Sequence, residues 1–136
     1  EKGVSIIVRL PLASGLLSGK MTLDQSFSEN DHRRFNCDGQ LFNVGETFAG
    51  LPYSNGVELA QSVKEILPDD APMAQSALRW ILDHDAVTTI IPGASKIEQA
   101  RCNALASDLP PLDLETHQKL SQFYKANVHE HIRGSY

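Results

Sequence analysis

Apolar residues along the 136-residue chain fall into two kinds of run. Val4-Ser5-Ile6-Ile7-Val8 and Thr88-Thr89-Ile90-Ile91 are short, β-branched and nearly continuous, and prolines stop them at Pro11 and Pro92. Such runs fit strands covered on both faces, the usual state of parallel strands. The other runs carry helical spacing. Val57, Ala60, Val63 and Leu67 follow Ser54-Asn55, which are cap candidates, and Pro68-Asp69-Asp70 stops that helix. Asp70 and Pro72 then mark a new start, after which Ala74, Ala77, Leu78 and Ile81 recur at i, i+3, i+4 and i+7, with Trp80 at the edge of the stripe. Lys96 to Ser107 places Ile97, Ala100, Ala104 and Leu105 on one side, and Asp113 caps a last helix with a stripe of Leu120, Phe123, Tyr124 and Val128.

Between these runs the pattern lapses twice. Pro11 to Lys20 is a small-residue loop containing Gly15 and Gly19, where backbone can approach a ligand closely. Residues 21–53 show neither period, only Asp, Asn, Ser and Gly with isolated Phe27, Phe35, Phe42 and Phe48. A long loop of this kind is a lid, a binding loop or a mobile connection, and the phenylalanines imply partial docking onto a surface. The tail, residues 129–136, has no usable pattern. Strand, loop, helices, strand, helix, helix is an α/β order with parallel strands. Two strands cannot complete a parallel sheet, so the missing N-terminal part of a larger fold, or self-association with other copies, is expected to supply the neighbours. The opening residue, Glu1 rather than Met, adds to the expectation that 1–136 is a single portion of a longer chain.

Composition narrows the partners. A hydrophobic share of 41% and a charged share of 21% suit one globular unit. The net charge of -5, with no basic cluster beyond Arg33-Arg34, argues against nucleic acid. No run approaches the roughly 18 apolar residues that span a bilayer, and no leader-like pattern opens the chain, so no membrane partner and a cytoplasmic location are expected. Cys37 and Cys102 are far apart and form no CxxC pair, which predicts free thiols. His129-Glu130-His131 is an i, i+2 histidine pair without a third ligand, and no metal site is expected there.

Chemistry concentrates where the second strand meets a helix. In Ile90 to Asn103 the strand ends at Pro92-Gly93 and runs through Ala94-Ser95-Lys96 directly into the helix. Free backbone N–H groups and the positive end of a helix dipole favour an anion there, and the Ser95 hydroxyl and Lys96 ammonium add donors and charge. At about 100° per residue, Lys96, Gln99 and Asn103 share one stripe beside the apolar one. A phosphate at the turn with a purine along the two amides uses every polar member; a capped surface helix with solvated polar residues is the plainer reading of spacing alone.

Three segments together resemble the aldo-keto reductase family. Ile91 to Asn103 fits I-P-G-x-x-x-x-x-Q-x-x-x-N, Pro11 to Lys20 fits P-L-x-x-G-x-L-x-G-K, and Ala74 to Leu82 fits A-x-x-A-L-R-W-x-L, in the family's order and over nearly the whole chain. The resemblance implies a partial (β/α)8 TIM barrel, a C-terminal fragment carrying the seventh and eighth units with two core strands and about four helices; barrels of this kind often hold phosphate on the loops after those strands. It implies NADP(H) as cofactor: Ser95 and Lys96 on the 2'-phosphate beside Gly93, Gln99 and Asn103 near the adenine, and Leu12, Ser14 and Leu16 along the pyrophosphate. It also implies reduction of a small-molecule aldehyde or ketone by a tyrosine, lysine, aspartate and histidine. Those four belong to the first half of the barrel, so no catalytic residue is assigned here, Tyr53, Tyr124 and Tyr136 included, and the chain alone is expected to be inactive. The alternative is a regulatory or scaffold protein that retains the barrel and pocket. Two positions depart from the family: Cys102 stands where an acidic residue commonly meets the adenine, and Arg9 stands near where an aromatic ring stacks on the nicotinamide. The C-terminal segment, in the family, lines the substrate pocket.

Overall fold

A computed structural model describes residues 3–134 of the chain. The two β-branched runs meet in a parallel pair, β1 (Ile7–Val8) and β2 (Thr89–Ile90), in the register Ile7 to Thr89 and Val8 to Ile90. The pairing extends slightly beyond the strands, since Thr88 donates its N–H to the Ile6 carbonyl at 2.9 Å and Ile91 to Val8 at 3.1 Å. Parallel pairing needs a crossover connection, and the residues between the strands supply it with helices. These are α1 (His32–Phe35), α2 (Tyr53–Ile66) and α3 (Met73–Leu82); α4 (Ile97–Ala104) and α5 (Leu114–Phe123) follow β2. The last helix continues as a π-helical turn, Tyr124–Val128, and a 3-10 turn, His129–His131.

Several local expectations change. The strands are not covered on both faces: Val4 is 77% exposed and Ile7 56%. One strand neighbour hides one edge of each and α3 packs against β2, but among the described residues no third strand joins the pair. Helix α2 begins one residue before Ser54, with Pro52 at the cap position and no side-chain cap. The Ile97, Ala100, Ala104 stripe of α4 faces solvent, Ile97 being 67% exposed. This helix instead turns Cys102 toward α3, where the Gln75 amide donates to the Cys102 carbonyl at 2.8 Å, and the following turn buries Ala106 completely. Asp113 caps α5 as its position predicts, accepting the Thr116 N–H at 2.7 Å. Trp80 is half-buried against the rings of His84 and His117, at 4.6 and 6.3 Å between centroids.

Residues 21–53 are a folded excursion, with α1 and 3-10 turns at Val44–Glu46 and Phe48–Gly50. Phe48 is fully buried and joins Leu16, Met21, Val57, Ala60, Leu67 and Met73 in one core, with Phe27 and Tyr53 packed around it at 5.9 and 5.0 Å between centroids. Phe35 and Phe42 pair edge to face outside the core. Asn36 holds the irregular backbone: buried, it accepts the Leu41 and Phe42 N–H groups at 2.9 Å each and donates to Thr47 Oγ1 at 3.1 Å. Arg133 ties the C-terminal segment to the same excursion through the carbonyls of Gly50, Cys37 and Leu51 and the Asp38 carboxylate. Between β1, α2, α3 and α5 lies an open trough of about 1060 Å³ with a largely apolar lining that includes Val8, Leu10, Val63, Ile81 and Val128. No helix among the described residues is long and apolar enough to cross a membrane.

Candidate functional site

Pro92 and Gly93 end β2 and release the chain into the turn that starts α4. Lys96 is extended at the cap position, and the Gln99 side chain, three residues on, folds back over the helix start, the returning half of a capping box. Its Oε1 accepts the Ser95 N–H at 2.8 Å, the Ser95 hydroxyl at 3.0 Å and the Lys96 N–H at 3.1 Å. Asn103 Nδ2 returns to the Gly93 carbonyl at 3.4 Å. Gly93, Ser95, Lys96, Gln99 and Asn103 therefore form one connected surface, and the turn is exposed rather than covered by other protein. The arrangement offers three donors meeting at one point beside an ammonium that has no carboxylate within salt-bridge distance among the described residues. Its present occupant is a neutral amide oxygen.

The second segment, Pro11 to Lys20, forms a kinked 3-10 turn over Ala13–Ser18. Ala13, Ser14 and Gly15 all take positive φ, of 49°, 57° and 101°. Gly15, at φ 101°, needs glycine for its backbone conformation; a Cβ there would only have to displace the flexible end of Met21, 2.8 Å away at Cε. Of the residues expected along a pyrophosphate, Leu12 is half-buried, whereas the Leu16 side chain is 3% exposed and belongs to the core. Leu16 thus has its backbone alone to offer a ligand. Ser14 faces the excursion: its oxygen accepts the Phe48 N–H at 3.1 Å, and the Glu46 carbonyl and His32 Nε2 lie 3.4 and 3.5 Å away.

The excursion thereby brings residues to the site that sequence reasoning missed. Asp31 caps α1 and grips Arg33 through both carboxylate oxygens, at 2.6 to 3.1 Å, and those hydrogen bonds hold its carboxyl below the usual range against the opposing effect of burial. The Arg33 guanidinium also sits 4.5 Å over the Phe27 ring. Arg9 reaches Glu46 at 3.3 Å rather than standing free. The basic pair Arg33-Arg34 was the only signal in the sequence for this cluster. Cys102 points into the α3 contact, and its thiol lies 3.3 Å from the Gln75 amide. Tyr53 donates its hydroxyl to the Thr22 carbonyl at 2.8 Å, a structural role. Tyr124 packs on the His129 ring, and Tyr136 lies outside the described residues.

A parallel strand pair joined by helices, with a helix following its second strand, is a partial α/β arrangement of the kind found in (β/α)8 barrels. The chain belongs to the aldo/keto reductase family, whose profile matches residues 1–125. It is 29% identical to the uncharacterized oxidoreductase YqkF of Bacillus subtilis over 98% of this chain and 39% of that protein. With the L-glyceraldehyde 3-phosphate reductase of Escherichia coli it shares 36% identity over 78% of this chain and 29% of the relative. The holo form of aldo-keto reductase AKR11C1 from Bacillus halodurans superposes with a TM-score of 0.56 at 31% identity, covering 97% of this chain and 38% of that one. The chain thus spans well under half the length of the proteins it matches.

Proposed function

We propose that this chain is the nucleotide-holding portion, residues 1–136, of an NADPH-dependent oxidoreductase that reduces aldehydes or ketones to alcohols. The observation that carries the reading is the convergence of the Ser95 N–H, the Ser95 hydroxyl and the Lys96 N–H on a single point at the exposed start of α4. A phosphate oxygen satisfies the same three donors and also draws the Lys96 ammonium, which the neutral Gln99 oxygen does not. The residues therefore fit a nucleotide with a 2'-phosphate. Ser95 and Lys96 hold that phosphate beside Gly93, Gln99 and Asn103 turn to the adenine, and Leu12, Ser14 and Leu16 follow the pyrophosphate, Leu16 through its backbone. When bound, NADPH supplies the hydride; the chain's own residues bind and orient it.

The tetrad that moves the proton is assigned to the part of the barrel outside this chain, so the chain by itself does not turn over a carbonyl substrate. The exposed faces of β1 and β2 and the apolar trough are consistent with a partner in the remaining barrel elements or in further copies. The reading is tested by Lys96→Ala with titration of both nucleotides. Removing one charge-assisted contact weakens NADP binding about ten- to hundredfold, and NAD much less. Equal losses for the two would overturn the 2'-phosphate assignment, and sustained NADPH oxidation by the purified chain with an aldehyde would overturn the inactivity.

A further inference from the structure

We propose that His84 and His117 form an open binding site for a divalent transition metal of the zinc, nickel and copper class, which fastens the end of α3 to α5. His84 stands two residues past α3 and His117 lies in the first turn of α5. The fold brings them together: their ring centroids are 5.8 Å apart, and both rings line the trough. A zinc–nitrogen bond of about 2.0–2.1 Å, with each ring nitrogen about 1.1 Å from its centroid, puts two imidazoles on one metal about 5–6 Å apart between centroids. The observed spacing falls in that range.

The way each ring is held points the same way. His117 Nε2 lies 3.0 Å from Asp83 Oδ2, and His84 Nδ1 lies 2.9 Å from the Trp80 carbonyl. A carboxylate and a carbonyl accept only, so each neutral ring commits its one N–H there. The remaining lone pairs sit on His117 Nδ1 and His84 Nε2, and neither nitrogen has a hydrogen-bond partner among the described residues. Fixing the far nitrogen on a carboxylate or a backbone carbonyl is how proteins orient ligating imidazoles. Asp83 itself is no ligand: its oxygens also hold Arg79 at 2.8 Å and the Leu112 N–H at 2.9 Å. Neutral imidazoles supply the affinity, and they favour zinc, nickel and copper over magnesium or calcium. Among the described residues no third side chain completes a ligand cluster, so water fills the remaining positions.

Trp80 is the one tryptophan of the chain and lies 4.6 and 6.3 Å from the two rings, so copper bound there quenches its fluorescence. Titration of the intact chain with CuCl2 should quench it at one equivalent, ZnCl2 should displace the copper and restore the emission, and MgCl2 should do neither. ZnCl2 should also raise the thermal midpoint, because it binds the folded junction. His84→Gln and His117→Gln, the second keeping an amide donor for Asp83, should each abolish that rise. Each should weaken copper binding by at least the roughly 10- to 100-fold that loss of an outer partner produces. His84 is exposed, so its variant decides the matter even where His117→Gln fails to fold. Quenching that survives both substitutions, or that is lost with His129→Gln instead, overturns the site. A loss with only one of two folded variants marks a lone imidazole contact and overturns the pair, and a wild-type chain whose emission copper leaves unchanged overturns the proposal outright.

Discussion

Asn36→Ala asks whether the 21–53 excursion is held by its buried amide. Asn36 is 0% exposed, and so is its partner Thr47. Truncation removes two hydrogen bonds of 2.9 Å from the Leu41 and Phe42 N–H groups and one of 3.1 Å to Thr47 Oγ1. Leu41 and Phe42 stand at the exposed surface, so water can recover their N–H groups and each loss costs about 0.5–1 kcal/mol. The Thr47 hydroxyl is sealed in, which adds about 1–2 kcal/mol, and the vacated volume adds somewhat less. The sum is about 3 kcal/mol, read by urea denaturation with an unchanged slope. Hydrogen exchange locates it, because amides 41 and 42 should lose protection before those of α2. A double-mutant cycle with Thr47→Val should return a coupling of about 1 kcal/mol. A loss below about 1 kcal/mol, or exchange that rises uniformly, refutes the reasoning and moves the organising role to the phenylalanines.

Other perturbations read separate parts of the fold. Asp83, 4% exposed at its side chain, receives the Leu112 N–H, His117 and Arg79. Burial pushes its carboxyl up, but those three donors prevail and its pKa is lowered. Its stabilisation is therefore present above the unfolded carboxylate value of about 3.9 and is lost as pH falls through the lower folded value. The stability gap between wild type and Asp83→Asn should accordingly close in acid below about pH 4, and a gap that widens there contradicts the assignment. Arg133→Lys keeps a charge but not the fork that reaches three carbonyls; it should cost about 1–2 kcal/mol and speed proteolysis of the C-terminal segment, and equal rates would show the anchor to be idle. Leu78→Ala, at a site of 0% exposure, should cost about 3 kcal/mol in the same denaturation assay.

Periodicity made the strands, the later helices and the turn at the start of α4 legible, because each depends on neighbours in sequence. The Ser95-Lys96-Gln99 cap closes within five residues, and the Asp113 cap within four. What escaped depends on distant partners. Arg133 reaches Gly50 across 83 positions, Ser14 meets Phe48 across 34, and Asp83 meets His117 across 34. No local spacing encodes such pairs, and a stretch organised by one buried asparagine looks like a loop. The α4 face was misread for a related reason: Ile97, Ala100 and Ala104 are apolar at helical spacing, but contact with α3 is decided by the Gln75 bond to Cys102 and by Ala106.

The exposure of β1 and β2 has a consequence for the chain in solution. Val4, Ile6, Ile7, Leu10 and Ile91 are all more than 40% exposed, next to a trough whose lining is largely apolar. Apolar surface gains about 25 cal/mol for each Å² withdrawn from water, and unpaired strand edges offer hydrogen bonds to any extended partner. Both forces act toward a larger assembly, while the turn at Ser95 and Lys96 is polar and exposed at the start of α4. Light scattering of the purified chain should therefore show association that grows with concentration, and the double substitution Ile6→Thr, Ile7→Thr should reduce it without changing helix content by circular dichroism. Adenosine 2'-monophosphate should bind both forms alike. A chain that stays monomeric at every concentration would refute the association, and one whose assembly abolishes that binding would show that the exposed strands and the proposed nucleotide surface are not separate faces.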